Sequence, residues 1–435
     1  MKQFAITAQG KLIASISKLS NKGNGSTWPG HIALKLNRNF IKHTLRSSKT
    51  KVILIVGTNG KTTTANILST ILKEAKKSVA KNASGANLLN GIASALLLHT
   101  NPLGRLTSDY AIIEVDENNL PLILKEITPA AIIALDLFRD QLDRYGELDS
   151  IIAKWQRSLT MLPPSTKLIL NSDDPLVSYI GKESKLDVSY FGLNEITHNE
   201  KLQHASDSIY CPRCSNKLNF SKIYFSHLGD WYCPSCKLTR PAPHMSYTSY
   251  PLAGTYNKYN TLAAVLCAKR LGIPEETILK GIEKVIPVFG RQEKMEIGGK
   301  KIQIFLAKNP TSFNETLRTI SDLGAKNVVF ALNDRIPDGQ DVSWIWDVDF
   351  EDYIEKFDHI SVSGERVYDL ALRLQYSQKP QIQNPKSDSL IIEPSLKLAV
   401  SKSLDKLSPE DTLYILPTYS AMLDVRKILT GRKIL

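Results

Sequence analysis

Acidic residues are absent from the start of this chain: the first is Glu74, and twelve of the 55 Lys and Arg residues precede it. The remaining basic residues equal the 43 acidic ones in number, so the net charge of +12 belongs to the N-terminal segment. Long apolar runs are also lacking. No stretch approaches the roughly 20 residues that a membrane-spanning helix requires, and Gln9, Gly10 and Lys11 interrupt the N-terminus before a secretory core could develop. There are only five cysteines, and four of them lie close together. Low-complexity tracts and internal repeats are missing, and a content of 42% hydrophobic and 23% charged residues excludes intrinsic disorder. At 435 residues the chain exceeds one ordinary core, which predicts two or three domains in a cytoplasmic protein.

The basic segment, residues 1–48, attracts an anion: nucleic acid, phospholipid head groups or a pyrophosphate-bearing substrate. Its apolar residues Phe4, Ile6, Leu12, Ile13, Ile16 and Leu19 fall near helical spacing. Such a face suits docking on a protein or a membrane, and equally a helix packed on its own domain.

Lys51–Val56 is a short apolar run ending at Gly57, as a buried parallel strand would be, and helical spacing follows over 62–76. Further buried-strand patterns at 110–115, 130–135 and 167–170 alternate with helical material, which predicts a doubly wound parallel sheet. A polar stretch around 205–240 breaks the alternation and reads as an inserted module. Helical spacing returns at 260–271 and 274–285, and a linker is expected at 287–290. Strand patterns at 301–306, 327–332, 359–362 and 412–416 then predict a second α/β unit over 291–435, after a first over 49–290.

Between the first strand and its helix lies Gly57-Thr58-Asn59-Gly60-Lys61-Thr62-Thr63. A loop in that position can turn several backbone N–H groups toward one phosphate, where the helix dipole also favours negative charge. The glycines permit the turn, Lys61 can neutralise phosphate charge, and Thr62 can ligate magnesium. The spacing is more compact than the common GxxxxGK[ST] form, since Ile55 stands where that form has its first glycine.

GTNGKTT resembles the ATP loop of the Mur ligases and folylpolyglutamate synthases, which activate a carboxylate as an acyl phosphate. Other stretches resemble that family in the same order. Glu114, ending AIIEV, matches its magnesium-binding glutamate; LDLFRDQLDRYGELD resembles TNxxxDHLDxHG, and LILNSDDP resembles LNxDDP. GTYNKYNTLAAVLCAKRLGI resembles GxHNxxNxLAA, which implies Asn260 against the adenine, and Arg291 matches the family's GRxE. The resemblance implies a central ATPase domain and a Rossmann-like C-terminal domain. The chain departs from it where the family has a first, UDP-sugar domain, since fewer than 50 residues precede the ATP strand. Gln141 replaces a metal-site histidine, Lys308 replaces the histidine of DYAHNP, and Lys154 falls one residue out of register with a carbamylated lysine. These changes cluster near the amino-acid acceptor region and imply a changed acceptor.

Cys211-Pro-Arg-Cys214 and Cys233-Pro-Ser-Cys236 are two CxxC knuckles eighteen residues apart. Four thiolates at that spacing can close a tetrahedral zinc site, with disulfides the weaker explanation in a reducing cytoplasm; full occupation by cysteine leaves no position for reacting water, so a structural zinc is expected. Cys267, in an apolar helix, reads as a core residue. A zinc ribbon inserted in a Mur-type ATPase resembles the MurT family, the synthetase subunits of lipid II isoglutaminyl synthase, and the segment LNDRIPDGQDVSWIWDVDFE resembles its C-terminal signature.

The resemblance implies ATP-dependent amidation of the α-carboxylate of D-glutamate in the lipid II stem peptide, at the membrane surface. It implies a heterodimer with a glutaminase, GatD, that supplies ammonia and takes an aspartate of this chain into its catalytic triad. Asp341 is the best match for that aspartate; Asp334, Asp338, Asp347 and Asp349 compete for the role, and any of the five could instead cap a turn. ATP, Mg²⁺ and Zn²⁺ are the implied cofactors. One alternative is a stand-alone Mur- or folylpolyglutamate-type amino-acid ligase. Another is a nucleic-acid-associated ATPase, which leaves Asn171, Asn260 and Arg291 unexplained; no nucleic-acid partner is expected.

Overall fold

The computed structural model describes residues 9–11, 27–82, 86–139, 148–194, 201–245, 247, 249–377 and 390–431. Phe4, Ile6, Leu12, Ile13, Ile16, Leu19 and Gln141 lie outside the described residues, as does most of the basic segment before Thr27.

The first sheet contains β1 (Lys51–Val56), β2 (Val79–Lys81), β3 (Tyr110–Val115), β4 (Ala131–Ala134), β5 (Lys167–Asn171) and β6 (Asp187–Phe191), in the order β2-β3-β1-β4-β5-β6. Every pairing is parallel. Apart from Lys51 and Glu114, the central strands are apolar, because helices cover both faces. Strand order reverses at β1, whose neighbours are β3 and β4. The carboxyl end of β1 therefore opens into the crevice where doubly wound sheets bind ligands.

On one face, helix Lys61–Glu74 packs between helices Thr255–Arg270 and Glu275–Glu283. Helix Thr255–Arg270 is buried nearly all round, since sheet, helix and inserted module surround it. On the other face, helix Leu89–Leu98 carries the N-terminal helix Trp28–Leu36. These two cross at backbone contact. The Gly30 N–H donates to Ser94 Oγ at 2.7 Å, and a Cβ on Gly30 would fall 2.0 Å from the Asn90 carbonyl. The described part of the basic segment is thus packed on its own domain.

The inserted module is an antiparallel hairpin, β7 (Asn219–Phe225) and β8 (Leu228–Tyr232), flanked by the cysteine knuckles. A second six-stranded sheet follows: β9 (Arg291–Ile297), β10 (Lys300–Phe305), β11 (Asn327–Ala331), β12 (His359–Ser363), β13 (Leu390–Ile392) and β14 (Thr412–Pro417). Its order is β13-β12-β11-β14-β10-β9, parallel except for β9, which pairs antiparallel with β10. Among the described residues, no helix is long and apolar enough to cross a membrane.

Candidate functional site

The phosphate loop leaves β1 through Gly57 (φ 141°) and enters helix Lys61–Glu74 through Gly60 (φ 82°), both in the backbone region that favours glycine. Asp136, at the end of β4, holds the loop from below: its carbonyl accepts from Thr58 N at 3.1 Å and its Oδ1 from Asn59 N at 2.8 Å. Thr58 Oγ1 donates to the Phe138 carbonyl and lies 3.0 Å from the Phe138 N–H, which donates back. Thr58 therefore shapes the turn, and Thr63, though buried, lines the cavity with it.

Lys61 Nζ folds back onto the carbonyls of Gly57 and Thr58 and lies 3.6 Å from Glu117 Oε2. It therefore sits over the loop, where a phosphate group would lie. The Thr62 hydroxyl donates to Glu114 Oε2 at 2.6 Å. Burial pushes the Glu114 carboxyl up, while the Thr62 hydroxyl, Arg291 and Lys61 act in the other direction. Thr62 and Glu114 are hard oxygen donors converging at the head of the phosphate-loop helix, a set that fits Mg²⁺.

The loop opens into a cavity of about 480 Å³ between the two sheets. Asn260 lines it, with its amide oxygen accepting from Thr64 Oγ1 at 3.2 Å. A Cβ on Gly60 would come within 2.0 Å of that oxygen, so Asn260 presses directly on the loop. From the second unit come Arg291, Lys308 and Glu315, and Asn309 Nδ2 donates to Asn59 Oδ1 at 3.2 Å. Burial lowers the Arg291 guanidinium, opposed chiefly by the charge of Glu114. The site is thus a composite of both α/β units.

Asp136, Glu117, Tyr256 and Glu315 also line this cavity and were not singled out from the sequence. Asp136 lay inside a recognised motif, which was its only signal. Glu315 and Arg318, three residues apart on one helix, are both buried and bond each other. The acids of the LILNSDDP stretch are structural. Asp174 caps helix Pro175–Lys182 by accepting from Leu176 N and Val177 N. Asp173 accepts from Tyr259 OH at 2.7 Å and from Arg240 Nε at 2.6 Å. Lys154 is exposed on helix Leu148–Leu159 and does not line the cavity.

The four knuckle sulfurs lie within 4.8 Å of one another, with Cys211–Cys236 and Cys214–Cys233 each 3.5 Å apart. Zinc–sulfur bonds of about 2.3 Å would set tetrahedral sulfurs roughly 3.8 Å apart, so the cluster fits Zn²⁺. The two knuckles repeat one backbone geometry. Ser215 (φ 57°) and Lys237 (φ 59°) turn left-handed just after the second cysteine, and their N–H groups donate to the Cys211 and Cys233 carbonyls. Cys267 stands apart in the core, and burial pushes its thiol up to about 12.

The five aspartates of the C-terminal unit separate by environment. Asp338 is buried and accepts from the Ser420 N–H and hydroxyl. Asp349 is buried between His204 and Asn314. Asp334 pairs with Arg366 at 3.0 Å, and Asp347 lies 3.9 Å from Arg139. Asp341 is exposed; its Oδ1 accepts from Ser343 N at 2.8 Å, an interaction that lowers its pKa. Pro337, four residues earlier in the chain, lines the cavity.

Residues 55–268 match the Mur ligase middle domain, and residues 306–422 match the MurT ligase C-terminal domain. The chain is 32% identical over 424 residues to the MurT subunit of lipid II isoglutaminyl synthase (glutamine-hydrolyzing) of Staphylococcus aureus strain COL, covering 93% of each. With the MurT subunit of Streptococcus pneumoniae, identity is 32% over 438 residues, covering 96% of this chain and 95% of that one. Among solved structures, the pseudomurein peptide ligase type C of Methanothermus fervidus is similar at a TM-score of 0.65 and 22% identity, covering 88% of this chain and 79% of that one. The MurF ligase of Thermotoga maritima, solved with ADP, is similar at a TM-score of 0.61 and 14% identity, covering 92% and 83%. At these identities the solved structures bear on fold alone.

Proposed function

The chain belongs to the MurT family of Mur ligase-type enzymes, and from that membership we propose that it amidates the D-glutamate α-carboxylate of lipid II to D-isoglutamine. It is an ATP-dependent ligase. The observation that carries the finer reading is the composite cavity, in which the phosphate loop, Thr62 and Glu114 of one unit face Arg291 and Lys308 of the other.

In the proposed reaction, a carboxylate oxygen attacks the γ-phosphorus of ATP; the bond to the β–γ bridging oxygen breaks, ADP leaves, and an acyl phosphate forms. Lys61, Arg291 and the loop N–H groups stabilise the charge spread over the transferring phosphoryl group. Thr62 and Glu114 would hold Mg²⁺, which supplies further charge neutralisation when bound. Ammonia then attacks the acyl carbon and loses a proton, and inorganic phosphate departs with one of the original carboxylate oxygens.

The nitrogen comes from a partner glutaminase of the GatD kind. The single cysteine outside the four-sulfur cluster, Cys267, is buried in the core and cannot act as a glutaminase nucleophile. We assign Asp341 to the partner's Cys-His pair, because a carboxylate that orients a catalytic histidine across an interface must be exposed in the separate chain. The test is amidation of lipid II by the complex with its glutaminase, supplied with glutamine or with ammonium. Asp341→Asn is expected to lower the glutamine-supported rate by at least about 100-fold while sparing the ammonium-supported rate. Equal rates with glutamine for variant and wild type would refute the role of Asp341. Failure of the wild-type complex to amidate lipid II with either nitrogen source would refute the amidation itself.

A further inference from the structure

The inserted cysteine module reaches the phosphate loop through the tip of its hairpin. Phe225, the last residue of β7, lines the nucleotide cavity although only 3% of its surface is exposed. Its ring lies 6.1 Å from that of Phe138 at an interplanar angle of 23°, and 5.6 Å from Tyr259 at 78°. Both neighbours are tied to the loop. Phe138 exchanges two hydrogen bonds with Thr58, and Tyr259 immediately precedes Asn260, which presses on Gly60.

The hairpin tip is held from three directions. The Tyr224 carbonyl accepts from Arg318 Nη1 of the second unit at 3.0 Å. Ser226 Oγ donates to the Ala205 carbonyl at 2.8 Å, and the fully buried His227 lies 4.5 Å from the Phe138 ring. Such constraint leaves the Phe225 ring little freedom to move. Phosphate groups are served by the polar loop, so an apolar aromatic wall in the same cavity suits a flat, weakly polar part of the ligand. Leu252 continues that wall, and the amides of Asn257 and Asn260 lie in the same lining.

We infer that Phe225 is part of the bed against which the base of the bound nucleotide packs, so that the inserted module completes the nucleotide site. The inference rests on the reading of Gly57–Thr63 as the ATP loop. Packed against Phe138 and Tyr259, the ring meets a ligand with little ordering cost on binding.

The test compares ATP with inorganic tripolyphosphate, which has the phosphates without the base, both titrated with Mg²⁺ by calorimetry onto the full chain. Phe225→Leu keeps an apolar side chain of similar volume and removes the aromatic face. The Kd for ATP is expected to rise roughly tenfold, with that for tripolyphosphate unchanged. Unchanged tripolyphosphate binding also shows that the variant loop is folded. An unaltered Kd for ATP, or an equal loss for both ligands, would overturn the inference. Wild-type protein that binds neither ligand would overturn the ATP-loop reading, and this inference with it.

Discussion

Asp136 shows how much of the phosphate loop depends on a residue that need not touch phosphate. It receives two loop N–H groups from beneath, and burial pushes its carboxyl up to about 8, against the hydrogen bond from Asn59. In an unfolded chain the same group titrates near about 4. Between these values the folded chain binds a proton that the unfolded chain has released, so stability falls as pH rises from about 4 to about 8. Asp136→Asn removes that titration and keeps an oxygen for Asn59 N. Its melting temperature, compared with wild type, is expected to improve by several degrees between about pH 5 and about pH 8.5. A difference that stays constant across that range would show that Asp136 is ionised throughout in the folded protein.

Among the elements, the four-cysteine module has the clearest separate test. Its knuckles enclose a small apolar cluster with Leu218, Trp231 and Leu238, too little to hold a fold without a staple. Trp231 Nε1 donates to the Ser172 carbonyl and Arg240 bonds Asp173, so the module is docked on the turn that follows β5. One zinc per chain is expected by elemental analysis. The double variant Cys211→Ser, Cys214→Ser is expected to lose it and to melt several degrees lower. A metal-free preparation with unchanged melting would contradict the structural role.

The elements also differ in how plainly the sequence announced them. The apolar runs of β1, β3, β4 and β5 were legible because buried parallel strands carry no polar alternation. Asp187–Phe191 and Val79–Lys81 were not, since edge strands are half-exposed and one spans only three residues. The Gly57–Thr63 loop and the CxxC knuckles were legible because their chemistry depends on local spacing. Phe225, Arg318 and Glu315 were hidden, because what they do depends on which distant element packs against them.

The described residues form two six-stranded sheets that line a common cavity, with an inserted module as a third wall. That arrangement suits a reaction in two steps, since the phosphate loop and the acceptor-side residues arrive on different units. Exposed Asp341 lies on the loop that sends Pro337 into the cavity, so the carboxylate proposed to face the partner and the cavity lie on one stretch of chain. The central claim is that ATP activates the substrate carboxylate by phosphorylating it. Lipid II bearing ¹⁸O in the D-glutamate α-carboxylate tests this directly, with ammonium as the nitrogen source and the released phosphate analysed by mass spectrometry. Passage through an acyl phosphate leaves one labelled oxygen in each phosphate released, in step with amide formed. Amidated product accompanied by unlabelled phosphate would contradict it.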